Sequence, residues 1–138
     1  PWDRAVSYYH WLRVQGFAHP AVGLAKSHDF PGFLSHPQTQ ASLRLWPYGA
    51  YMHDSAGVER CRLYARLERL EEDLLPFWAH LGFTLSLPRV NESARAADWR
   101  PYFNDASAAL VADLCAEDVA RFGYGFDDAA GLGGRGPG

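Results

Sequence analysis

Val6, Tyr9, His10, Leu12 and Arg13 recur with a roughly helical rhythm, which predicts a helix from Pro1 to Gln15. Proline suits the first helical position, where its missing N–H costs nothing, and Gly16 suits the stop. A turn over Phe17 to Pro20 precedes a short helix, Ala21 to Ser27. Asp29 is placed to cap another short helix ending at Leu34, with Pro31 in its first turn. His36 to Leu45 is polar and aperiodic, so no element is assigned there. Trp46-Pro47-Tyr48-Gly49 breaks regular structure, and Tyr51-Met52 begins a short strand before a His53-Asp54-Ser55 turn.

From Cys61 to Leu67 the period changes to two. Cys61, Leu63, Ala65 and Leu67 alternate with Arg62, Tyr64 and Arg66, which predicts a strand. A helix from Glu71 to His80 follows, kinked at Pro76 and ended by Gly82. Phe83 to Asp98 reads as a loop. Asp105 is the expected N-cap of a long helix to Phe122, whose stripe is Leu110, Val111, Leu114, Cys115, Val119 and Phe122. Tyr124 and Phe126 are expected to fold back onto it. The organisation is therefore one domain over residues 1–126 and a Gly-rich, disordered tail over residues 127–138.

Composition narrows the classes. With 48% hydrophobic and 21% charged side chains, the 138 residues suit one soluble globular domain. No apolar run is long enough to span a membrane, and a cytoplasmic location is expected. A net charge of -3 argues against a general nucleic-acid binder. Two cysteines, Cys61 and Cys115, cannot build a disulfide scaffold, and both fall on apolar faces as expected buried thiols. The six histidines include no i, i+4 pair, so no metal site is expected. Glu68, Glu71, Glu72 and Asp73 read as the acidic start of a helix. Trp2, Tyr8, Tyr9 and Trp11 read as core around the first helix.

Among thirteen basic residues Lys26 is the one lysine. Coding bias accounts for the arginine excess, yet single arginines still suit anions. Arg4 lies in the first helical turn, where a cation opposes the dipole unless an acid or a bound anion offsets it. Ser7, three residues on, shares its face. A guanidinium beside a hydroxyl fits phosphate oxygens. The structural alternative pairs Arg4 with Asp3 or a distant carboxylate and leaves Ser7 a buried small residue.

Pro1-Trp2-Asp3-Arg4-Ala5-Val6-Ser7-Tyr8-Tyr9 resembles the latter part of the 3′-phosphate-binding motif of sulfotransferases. That motif runs Arg, any residue, Pro, two spacers, often Arg, two spacers, Ser, one spacer, Tyr; its leading Arg would lie two residues before Pro1. Three further segments continue the resemblance in order. Leu63 to Asp73 is similar to a strand-to-helix segment of the membrane-type and bacterial branch, with Leu67 where an aromatic is usual. Leu87-Pro88-Arg89-Val90-Asn91-Glu92-Ser93 is similar to a Leu-Pro-x-x-Asn-x-Ser loop. Tyr102, Asp118 and Phe122-Gly123-Tyr124-Gly125-Phe126 are similar to the closing helix and tail.

The resemblance implies an α/β architecture: the C-terminal, helix-rich part of a three-layer, P-loop-kinase-like fold with few short strands. It implies transfer of a sulfuryl group from 3′-phosphoadenosine 5′-phosphosulfate to an acceptor hydroxyl or amine, without a metal. The acceptor could be a carbohydrate, lipid, peptide or small molecule. Ser7 and Arg4 are the cofactor residues carried over from the motif, with Asn91, Ser93 and Arg95 in a loop expected to approach the nucleotide. The family's phosphate loop and catalytic base lie upstream of this motif, so the chain is expected to be inactive alone. Gly131-Leu132-Gly133-Gly134-Arg135-Gly136 follows no strand and does not replace that loop. The competing class is a non-catalytic, mainly helical interaction module.

Overall fold

Prolines set where the early helices begin. A computed structural model describes residues 1–88, 95, 96 and 98–128. After α1 (Trp2–Arg13), the helices α2 (Pro20–Ser27), α3 (Phe30–Ser35) and α4 (Pro37–Leu45) each carry a proline in the first two positions. Each also has a side-chain cap. His19 Nδ1 accepts from the Ala21 N–H, Asp29 Oδ1 from Gly32 and His36 Nδ1 from Gln38. Two histidines thus do the work usually given to Ser, Thr, Asp or Asn. The helix α4, to which the sequence pattern assigned nothing, starts at such a His-Pro pair.

The chain forms two compact units. The first comprises Pro1–Tyr51 and Ser93–Asp128. It holds α1 to α4, the 3₁₀ turns Tyr48–Tyr51 and Arg100–Tyr102, α7 (Asp105–Leu114) and α8 (Ala116–Phe122). Val6 and Leu12 of α1, Phe33 and Leu34 of α3 and Val111 of α7 are almost wholly buried. Each such side chain contributes about 1.5–3 kcal/mol. The Trp2 indole N–H donates to the Ala108 carbonyl at 2.9 Å, fastening the start of α1 to α7. Trp2 also stacks on Trp99 at 6.0 Å, and Phe126 meets both rings edge-on. Phe126 therefore folds back, but onto this tryptophan pair; Tyr124 lies against Phe122.

The predicted long C-terminal helix is two helices. Cys115 leaves helical geometry at φ -110°, ψ 29° and separates α7 from α8. The cap of α7 is Asn104 rather than Asp105: Asn104 Oδ1 accepts from the Ser107 N–H while Ser107 Oγ accepts from the Asn104 N–H. This reciprocal pair satisfies two donors that the helix cannot. Gly123, at φ 66°, ends α8 in the left-handed conformation that favours glycine.

The second unit is described over Met52 to Pro88. It contains α5 (Leu70–Asp73) and α6 (Leu75–Leu81), preceded by a 3₁₀ turn at Leu67–Arg69. The expected interruption near Pro76 occurs at Leu74, and Gly82 closes α6 at φ 75°. None of the described side chains in this unit is buried.

The α/β expectation is corrected. The chain is helix-rich, and among the described residues there is no β-strand. Residues 61–66 have no regular structure, and Tyr51 ends a 3₁₀ turn, with Met52 in a bend, in place of the expected strand. The His53–Glu59 pair is an isolated antiparallel bridge. Alternation creates a strand when a neighbouring strand takes its hydrogen bonds and its apolar face is covered. Here Leu63 and Leu67 are exposed, so neither condition holds. The Gly-rich segment 129–138 lies outside the described residues; Asp127 and Asp128 precede it and accept from the Arg100 guanidinium through their carbonyls.

Candidate anion-binding face

All three described site residues, Arg4, Ser7 and Arg95, belong to the first unit. Asn91 and Ser93 lie outside the described residues.

Arg4 turns into the unit. Its guanidinium donates to the Trp46 carbonyl at 2.9 Å, lies 4.5 Å from the centre of the Tyr48 ring, and sits 3.6 Å from the Asp118 carboxylate. Asp118 is fully buried and accepts the Tyr48 N–H at 2.8 Å through its other oxygen. The cation in the first turn of α1 is thus offset by a distant acid. The arrangement ties α1, α8 and the Trp46–Tyr48 segment together.

Another face of α1 carries Asp3, Ser7 and His10, spaced i, i+4 and i+7. Arg95 lies along it. Its guanidinium, with a side chain only 10% exposed, is ion-paired to Asp3 and also donates to the Ala96 carbonyl at 3.1 Å. One turn beyond Ser7, His10 Nε2 is 2.9 Å from the Tyr102 hydroxyl. Burial, reinforced by the charges of Arg95 and Arg13, holds the His10 imidazole below its ordinary pKa. Arg95 therefore contacts the residue one turn before Ser7, and its field reaches the residue one turn after. Ser7 itself is half-buried.

Chain order separates Arg95 from Ser7 by most of the domain, yet Arg95 is ion-paired to Asp3, one turn before Ser7 on α1. Sequence reasoning missed three members of this constellation: Asp3 as the partner of Arg95, His10, and Tyr102 as its hydrogen-bonding neighbour. The signal available was the i, i+4, i+7 spacing of Asp3, Ser7 and His10 on one helix.

The other titratable residues play different parts. Among the described residues no group of three His, Cys, Asp or Glu side chains could hold a metal ion. Cys115 is buried, which pushes its thiol pKa up, whereas Cys61 is exposed, contrary to the expected buried position. No helix among the described residues is long and apolar enough to cross a membrane. In the second unit Arg66 grips Asp73 through its backbone N–H at 2.9 Å and its guanidinium at 3.0 and 3.2 Å. These hydrogen bonds, the guanidinium's first, hold the Asp73 carboxyl down at about 2. Comparison with family models, curated proteins and solved structures finds no match to this chain.

Proposed function

We propose that the Ser7–Arg95 face of α1 holds the 3′-phosphate of 3′-phosphoadenosine 5′-phosphosulfate, and that the chain is part of a cytoplasmic sulfotransferase. The observation that carries the reading is the ion pair of Arg95 with Asp3, one turn before Ser7 on α1. A hydroxyl and a guanidinium on one face suit phosphate oxygens, and a charge-assisted hydrogen bond is about twice as strong as a neutral one. Asp3 acts as the group that orients Arg95. In this reading Arg4 has a supporting role: with Asp118 it fixes the position of α1 and does not itself reach the phosphate.

The reaction moves the sulfuryl group in line from the donor's 5′-phosphate oxygen to an acceptor hydroxyl or amine. The old S–O bond breaks as the new bond forms, and the acceptor's proton leaves to a base. Positioning supplies much of such a rate, so an anchored 3′-phosphate contributes without touching the reacting atoms. Calorimetric titration with adenosine 3′,5′-bisphosphate tests the reading. Ser7→Ala and Arg95→Gln should each weaken binding about tenfold or more, the loss expected for a hydrogen bond to a charged group. Adenosine 5′-phosphate should bind far more weakly than the bisphosphate. Equal affinity for the two nucleotides, or variants that bind like the wild type, would sink it.

A second reading, a non-catalytic interaction module, rests on exposed aromatic rings of the first unit. Trp11 lies beside Phe17 at 6.1 Å and Trp46 beside Tyr51 at 6.2 Å, all four about half-exposed or more. Failure of the bisphosphate to bind would favour this reading.

A further inference from the structure

We infer that His10 is an additional binding group of this face: a phosphate held by Ser7 and Arg95 draws a proton onto the His10 imidazole, so the share of nucleotide affinity that His10 contributes rises on acidification. This rests on the reading of Ser7 and Arg95 given above.

The geometry supplies each step. His10 follows Ser7 by three residues on α1, so the two side chains are neighbours on the helix surface. Among the described residues, three segments place ionisable groups near the imidazole. On α1 these are Arg13 and the Tyr9 ring, whose centre is 5.3 Å away. From the 95–96 segment comes Arg95, and from the 3₁₀ turn Arg100–Tyr102 comes the Tyr102 hydroxyl, 2.9 Å from Nε2. Burial first, and then the charges of Arg95 and Arg13, disfavour imidazolium on the empty face.

A bound phosphate reverses that balance. It places negative charge beside Ser7 and Arg95, opposing the cations that His10 feels. The imidazolium form is then stabilised, and the proton is taken from solvent with no bond made or broken elsewhere. By linkage, a ligand that raises the pKa of a group binds more tightly wherever that group is protonated in the free protein. The added affinity is present below the midpoint of free His10. It is lost as the pH rises through the midpoint of the complex. The 3′-phosphate loses its own second charge near pH 6, which weakens binding on acidification. A variant without the imidazole supplies that baseline.

The experiment is a pH titration of the His10 imidazole C–H resonances, with and without saturating adenosine 3′,5′-bisphosphate, on the unaltered chain. The midpoint should move up when the nucleotide is bound. In parallel, the ratio of His10→Gln to wild-type dissociation constants should grow about five- to tenfold between roughly pH 8 and pH 5.5, the size expected for partly screened charges one helical turn apart. An unmoved midpoint in a complex that perturbs the Ser7 and Arg95 resonances overturns the His10 inference and leaves the anion site standing. A nucleotide that perturbs neither residue overturns both. Because the resonance titration needs no substitution, misfolding of the variant would not obscure the result.

Discussion

The two units differ in what holds them. In the first, aromatic and aliphatic side chains from α1, α3 and α7 bury against one another, and a buried carboxylate meets an arginine. In the second, hydrogen bonds and ion pairs organise short helices while Leu67, Leu75 and Phe83 stay exposed. Local order by itself is therefore no sign of a core. The sharpest test is to remove volume from each. Phe33→Ala should cost about 3–5 kcal/mol of unfolding free energy, because the ring is almost wholly buried among Tyr8 and Tyr9. Leu75→Ala, at a side chain already 62% exposed, should change stability by no more than about 0.5 kcal/mol. Denaturant unfolding of both variants decides; equal losses would erase the distinction.

A smaller break in the first unit uses charge instead of volume. Asp118→Ala leaves the Tyr48 N–H without its acceptor and Arg4 without its acid, and should cost about 2–3 kcal/mol. Arg4 keeps partial contact with water, so the loss stays below that of a fully enclosed pair. The counterpart in the second unit is Arg69–Glu72, an exposed pair at i, i+3. Glu72→Gln should change thermal unfolding by an amount near the detection limit. A loss at Glu72 as large as that at Asp118 would contradict the division.

The same contrast explains how much was legible in the sequence. Periodicity and caps located α1, α2 and α3, and the Gly82 stop, because those signals act within a few residues. The α4 start was hidden because histidine is an uncommon cap and the segment lacks an apolar period. The Cys61–Leu67 alternation misled because a strand is completed by a neighbour that the pattern itself does not supply. Stop and cap can also trade places by one residue, as Asn104 shows by taking the role expected of Asp105. The pairing of Arg95 with Asp3 was beyond local reasoning, since it joins residues 92 positions apart. Asn104→Ala tests how much the reciprocal cap matters: a loss of about 1 kcal/mol is expected, measurable by denaturant unfolding. No loss would mean that α7 is held by its packing alone.

A local effect in the second unit depends on pH. Asp73 accepts from both the backbone and the guanidinium of Arg66, which favours its ionised form and depresses its pKa to about 2. In the unfolded chain the carboxyl returns to its ordinary value of 3.8. A depressed acid stabilises the folded form at pH values above the unfolded value. That contribution disappears as the pH falls through the folded one, so the window runs from 3.8 down to about 2. Because the pair is near the surface, solvent and salt screen it, and the change should be local rather than global. Amide shifts of Arg66 and Asp73 should therefore titrate with a midpoint near 2, ahead of any change at Val111 or Phe33 of the first unit. Arg66→Gln should return the Asp73 midpoint toward 3.8. A wild-type midpoint already at the ordinary value would show that this grip does not persist in solution, and the second unit would then lose its best-defined internal tie.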